Sequence, residues 1–174
     1  MPLARRLGQR WPVNAGGSDV AATKFRIDGG PWQSGTRCLL RAVRRRHPGH
    51  PGDVANGRHT VQFFSTDTAG NSEAIVSRTV LLDSNPPRTY DEAPPVPQTE
   101  GVTVHLTATD ALSGVAHTYY WLDEGPWVED SELLVAAPAD ESGDGEHTIW
   151  YYSVDAAGNV EAMRSCTVTF EAPW

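Results

Sequence analysis

The sequence predicts an all-β protein made of two tandem β-sandwich modules, residues 1–84 and 85–174. Three observations predict it. A long stretch recurs about 90 residues further on, a period that suits tandem small domains rather than a solenoid. Short segments alternate apolar with polar β-forming residues, a period of two. Turn residues punctuate the chain every ~8–12 residues, as in a sandwich, and no segment carries a capped 3.6-residue apolar period.

The elements follow in chain order. Met1 to Val13 stands where the first module's opening strands belong, but Arg5, Arg6, Gly8, Gln9, Arg10 and Pro12 break any alternation there. The first module is therefore expected to be incomplete or divergent. Thr23 to Ile27 reads as a strand, closed by the turn Asp28-Gly29-Gly30-Pro31-Trp32, in which glycine allows positive φ and proline sets the exit. It matches Thr118 to Trp127 at an offset of 95. Gly57 to Ala74 matches Gly145 to Ala162 at an offset of 88, and Ser77, Thr79 and Val80 extend the match to Ser165, Thr167 and Val168. The first copy thus holds an insertion between Trp32 and Gly57, which contains an arginine cluster and reads as a loop. Asp67 to Asn71 and Asp155 to Asn159, both Asp-x-Ala-Gly-Asn, predict hairpins: the Asp accepts turn N–H groups and the Gly takes the left-handed position. Val102, Val104, Leu106 and Ala108 alternate with Thr103, His105, Thr107 and Thr109, a strand with one apolar face.

Composition narrows the function classes. Hydrophobic residues make up 39% and charged residues 21%, too apolar for disorder, and no stretch nears the ~20 apolar residues of a membrane-spanning helix. Met1 to Gly17 lacks the ~7–15-residue apolar run of an export signal. The net charge of −8 is divided unevenly. Residues 1–84 carry 12 Lys and Arg against 6 Asp and Glu, and residues 85–174 carry 2 against 16. The basic excess centres on Arg37, Arg41, Arg44, Arg45 and Arg46, with His47 and His50 beside them. Pro48, Gly49, Pro51 and Gly52 interleave with this cluster, and no aromatic residue lies between Trp32 and Phe63 to stack on bases. This argues for a solvated loop and against nucleic acid as a partner.

The run from Val102 to Glu161 combines V-T-V-H-L-T-A-T-D, S-G-V-A, T-Y-Y-W-L-D-E-G-P-W and G-E-H-T-I-W-Y-Y-S-V-D-A-A-G-N-V-E in that order. It resembles the bacterial Ig-like repeats of large secreted and cell-surface proteins. Asp83-Ser84-Asn85-Pro86-Pro87 resembles the junction that opens each such repeat. The resemblance covers residues 85–174 nearly whole and residues 14–83 more loosely. It implies immunoglobulin-like (fibronectin III-like) sandwiches and an extracellular or cell-surface setting. The role it implies is a non-catalytic spacer or adhesive segment, with neighbouring modules, a protein or a glycan as partner. An appendage of a larger surface enzyme is a further reading.

Comparing the copies assigns the faces. Phe25, Ile27, Val61 and Phe63 match Tyr120, Leu122, Ile149 and Tyr151 and are expected in the core. Lys24, Arg26 and Gln62 match Tyr119, Trp121 and Trp150, which should therefore face solvent. Tyr119, Trp121, Trp150 and Tyr152 are the candidate binding residues, a strip of rings suited to a sugar face or a partner protein. Trp32 and Trp127 occur in both copies and are expected to cover the core.

Other constellations point to structure. Asp110, Asp123, Asp155 and Asn159 could supply oxygens to calcium, but recur where turns need them, so no metal site is expected. His59 and His147 share a Gly-x-His-Thr position and read as hydrogen-bonded structural histidines. Asp140, Glu141, Asp144 and Glu146 lie in a Gly/Ser loop with nothing to desolvate them for acid–base work. No nucleophile elbow, phosphate loop, dinucleotide fingerprint or zinc-protease motif occurs, so neither enzyme nor cofactor is expected. Cys38 and Cys166 fall in different modules at non-equivalent positions, which argues against a disulfide.

Overall fold

A computed structural model describes residues 19–36, 41–42, 53–137 and 145–171. Every regular element among them is a β-strand. The chain divides into two compact units, residues 1–84 and 85–174. The expected strands of Met1 to Val13, Cys38 and most of the arginine cluster lie outside the described residues, as do Asp140, Glu141 and Asp144.

In the first unit, β1 (Val20–Ile27), β2 (Gln33–Ser34), β5 (Gly57–Asp67) and β6 (Val76–Leu82) form an antiparallel sheet in the order β2-β1-β5-β6. A short parallel pair, β3 (Arg41–Ala42) and β4 (Asp53–Val54), stands apart from it. Alternation puts Phe25, Val61 and Phe63 on one face of the sheet, where they are buried, with Ile27, Val76 and Val80 packed against them.

The second unit is a sandwich of two sheets. One contains β9 (Val115–Leu122), β10 (Val128–Glu129), β12 (Gly145–Asp155) and β13 (Arg164–Phe170) in the order β10-β9-β12-β13. The other contains β7 (Arg88–Asp91), β8 (Val102–Thr109) and β11 (Glu132–Val135) in the order β11-β8-β7. Val104, Leu106, Leu133 and Val135 from the smaller sheet meet Ile149, Tyr151, Val168 and Phe170 from the larger one in a single core. The Tyr151 hydroxyl donates to Asp91 Oδ2 at 2.6 Å, which satisfies the polar end of a ring 2% exposed. Burial, with Asp91 nearby, pushes the free Cys166 thiol up to about 12, so it stays protonated and inert.

Matching turns build matching sheets. Asp67 and Asp155 each take their hairpin's Asn N–H on Oδ1 at 2.8 Å and the Asn side-chain amide on Oδ2, while Gly70 and Gly158 sit at φ 90° and 86°. In the turns after β1 and β9 positive φ falls on Asp28 and Asp123, both at 50°, and in the first of them on Gly29 as well, at 73°. Glycine is needed there for close approach: a Cβ on Gly30 or Gly125 would lie 3.0 or 2.9 Å from the carbonyl of Ile27 or Leu122. Asp tolerates the left-handed region because its carboxylate binds locally. Asp28 accepts the Thr60 N–H at 2.8 Å and pairs with His59 Nδ1 at 2.7 Å; Asp123 accepts the Thr148 N–H at 2.8 Å and pairs with His147 Nδ1 at 2.8 Å. His59 and His147 are thereby structural.

Candidate functional site

The outer face of β9 and β12 collects the aromatic residues of the second unit. Cross-strand register sets Trp121 directly opposite Trp150 and Tyr119 directly opposite Tyr152. All four candidate residues therefore lie on one face, each half-buried against its neighbours. The Tyr119 and Tyr152 rings stack 5.2 Å apart at 29°, and the two indoles lie 6.0 Å apart at 43°. Alternation explains why they share a face: their sequence neighbours Tyr120, Ile149 and Tyr151 pack in the core.

Trp127 joins this cluster, and that corrects its assignment to the core. It is 44% exposed, with its ring 4.4 Å from Trp121 at 74° and 5.1 Å from Tyr152 at 79°. The cause is the register of a tight connection. Val128 pairs with Tyr120 and Glu129 with Tyr119, so continuing one step back sets Trp127 against Trp121 on the outer side. Trp32 is corrected for the same reason. Lys24 pairs with Ser34 and Phe25 with Gln33, which leaves Trp32 opposite Arg26. The Arg26 guanidinium stands 4.7 Å over the Trp32 ring, and Phe64 meets that ring edge-on at 4.9 Å. Counting residues across the turn, rather than noting that the tryptophan is common to both copies, identifies the side.

The rim of the face is acidic. Glu129 is paired with Tyr119 across the strands and holds His117 Nδ1 at 2.5 Å. Desolvation, then the Glu129 carboxylate, raises the pKa of the Tyr119 hydroxyl, which stays neutral. The face thus offers indole and phenol surface, one carboxylate and one imidazole.

The carboxylates weighed as calcium ligands are engaged locally. Asp110 Oδ1 accepts the N–H groups of Leu112, Ser113 and Gly114 at 2.8–3.0 Å. Desolvation works against its charge, but these donors outweigh it and lower its pKa. Asp123, Asp155 and Asn159 are bound in the turns described above. Sequence reading missed a second polar group, centred on the buried Glu161. Its Oε1 accepts the Ser153 N–H at 2.9 Å and the Thr89 hydroxyl, and its Oε2 accepts the Thr89 N–H at 3.1 Å. Thr89 Oγ1 lies 2.6 Å from Ser153 Oγ, which lies 2.9 Å from Thr118 Oγ1. The signal available was the match of Glu73, Ser65 and Thr23 to Glu161, Ser153 and Thr118, three polar residues recurring in both copies.

No protein-family model matches the chain, and no curated protein matches it. Among solved structures it is similar to the fibronectin(III)-like modules of CbhA from Clostridium thermocellum, with 15% identity and a TM-score of 0.50. The match covers 91% of this chain and 82% of that one. No helix among the described residues is long and apolar enough to cross a membrane. With the two-sheet packing of the second unit, the likeness establishes the fold as an immunoglobulin-like, fibronectin III-like β-sandwich.

Proposed function

We propose that the chain is a non-catalytic spacer or adhesive segment of a bacterial surface or secreted protein. One observation carries this reading: the carboxylates and imidazoles of the turns and of the buried network are tied into the backbone, and the pairs His117–Glu129 and His105–Glu132 lie exposed on strand surfaces. Asp67 and Asp155 hold hairpins, Asp28–His59 and Asp123–His147 hold turns, and Glu161 joins two strands from within. A catalytic site needs polar groups converging on a space that a substrate can enter, with partners free to change protonation. These are committed to holding strands in place. The sandwich fold supports a modular role, and the resemblance to repeats of large surface proteins supports the location.

The reading predicts a mechanical rather than a chemical phenotype. In single-molecule extension of the full chain, the second unit is expected to unfold in one step and to refold on relaxation. The chain is expected to turn over no ester, glycoside or peptide substrate above buffer rates. Saturable turnover abolished by Asp123→Asn or Glu161→Gln in a folded variant would overturn the proposal. Service as an appendage of a surface enzyme is compatible with the same result. A catalytic domain encoded in frame beside this segment would favour that reading.

A further inference from the structure

The first unit supplies a template for what the aromatic face of the second can hold. There, Arg26 lies over Trp32 at 4.7 Å and its Nε donates to Gln62 Oε1 at 2.7 Å. At the matching places the second unit has Trp121 for Arg26 and Trp150 for Gln62, while Trp127 keeps the place of Trp32. The place of the cation is taken by Trp121, 4.4 Å from the Trp127 ring, which is still 44% exposed. We propose that the outer face of β9 and β12 docks a protein segment presenting an arginine side chain, whose guanidinium seats against Trp127 beside Glu129.

Three features favour this occupant. First, charge is complementary: residues 85–174 carry 16 acidic residues and only 2 basic ones. Both basic residues are engaged elsewhere, Arg88 over the Tyr90 ring at 4.9 Å and Arg164 beside Glu161 at 3.7 Å. Second, Trp127 and Glu129 stand two residues apart at the start of an edge strand and so share its outer side, pairing a π-face with a carboxylate. A guanidinium is suited to both at once, since it stacks on rings and forks onto carboxylates. Third, Trp127 meets Trp121 at 74° and Tyr152 at 79°. Rings set edge to face around Trp127 present no single flat surface of the kind a sugar face stacks on.

The test uses the full chain and a fluorescent Gly/Ser peptide carrying two arginines, with lysine and citrulline versions as controls, read by anisotropy at physiological salt. The arginine peptide is expected to bind about tenfold more tightly than the citrulline peptide, and more tightly than the lysine peptide. Trp121→Arg installs the first unit's own cation and is expected to weaken binding about tenfold, as is Trp127→Ala. Trp121→Phe keeps a ring in place and should stay within about twofold of wild type, which controls for folding. Equal binding of the arginine and citrulline peptides, unchanged binding in Trp121→Arg, or no binding of the arginine peptide would each overturn the proposal. Capture of a soluble oligosaccharide instead, lost in Trp127→Ala, would also overturn it. None of these outcomes depends on whether the chain is catalytic.

Discussion

At the residue scale, the Asp28–His59 pair couples a turn to pH. His59 Nδ1 faces Asp28 at 2.7 Å and its Nε2 faces the Ala55 carbonyl at 2.7 Å, so the doubly protonated ring satisfies both acceptors. Desolvation disfavours its charge, but the bonds to Asp28 and Ala55 outweigh this and raise its pKa. The His59 bond, then the Thr60 N–H, lowers that of Asp28. A raised histidine pKa contributes stability that is full below its unfolded value near 6.5 and lost as pH rises through the folded value. A lowered aspartate pKa contributes stability present above 3.8 and lost as pH falls through the folded value. The turn is therefore expected to be tightest between those two values. Exchange protection of the Thr60 amide should fall as pH rises through the His59 transition, and His59→Gln should flatten that profile; identical profiles would contradict it. A second residue-scale expectation concerns Trp127. Truncating a buried aromatic costs about 3–5 kcal/mol, so Tyr151→Ala should show a loss of that order in denaturant midpoints, and Trp127→Ala only about 1 kcal/mol. A Trp127 loss equal to that of Tyr151 would return it to the core.

At the scale of elements, Glu161 links β7 of one sheet to β12 of the other. Thr89 and Ser153 are fully buried, so removing the carboxylate strands two backbone N–H groups and a hydroxyl away from water. Each such loss costs about 1–3 kcal/mol, and Glu161→Ala is expected to cost about 3 kcal/mol or more. The first unit offers an internal control. Glu73 takes the Ser65 N–H at 2.6 Å and Thr23 Oγ1 lies 3.1 Å from Ser65 Oγ, the same local arrangement. Glu73 is exposed, however, and water replaces what is lost. Glu73→Ala is therefore expected to cost about 1 kcal/mol or less. Equal losses, measured as shifts in local exchange protection of β5 and β12, would mean that burial does not set the difference.

At the scale of the whole molecule, the two units differ in how much core their described strands enclose. Eight hydrophobic residues from two facing sheets are buried together in the second unit, against three on the single four-stranded sheet of the first. We propose that residues 85–174 fold alone and that residues 1–84 fold marginally or not at all without the rest of the chain. Expressing the halves separately and following their melting decides it. The expected result is a sharp transition for residues 85–174 and a broad or absent one for residues 1–84; equally cooperative melting of both would refute it.

Local chemistry was legible in the sequence by itself. Alternation assigned Phe25, Val61 and Phe63, and Ile149 and Tyr151, to buried faces, because a strand's period of two leaves no other consistent solution. Asp-x-Ala-Gly-Asn announced both hairpins, because an Asp that caps its own turn needs partners only four residues away. Comparison of the copies put Trp121 and Trp150 on the outer face, since a core does not accept Arg26 and Gln62 in the same places. What only the tertiary structure decided depends on partners that such short-range rules do not reach. The side taken by Trp32 and Trp127 follows from the register across a turn, and a shared tryptophan looks the same in sequence whether it seals a core or roofs a cluster. The bond between Thr89 and Glu161 joins residues 72 apart, one in β7 of the smaller sheet and the other on the connection between β12 and β13 of the larger. Periodicity describes each strand alone; which strand stands opposite, and what that contact desolvates, is settled only when the two sheets close over one core.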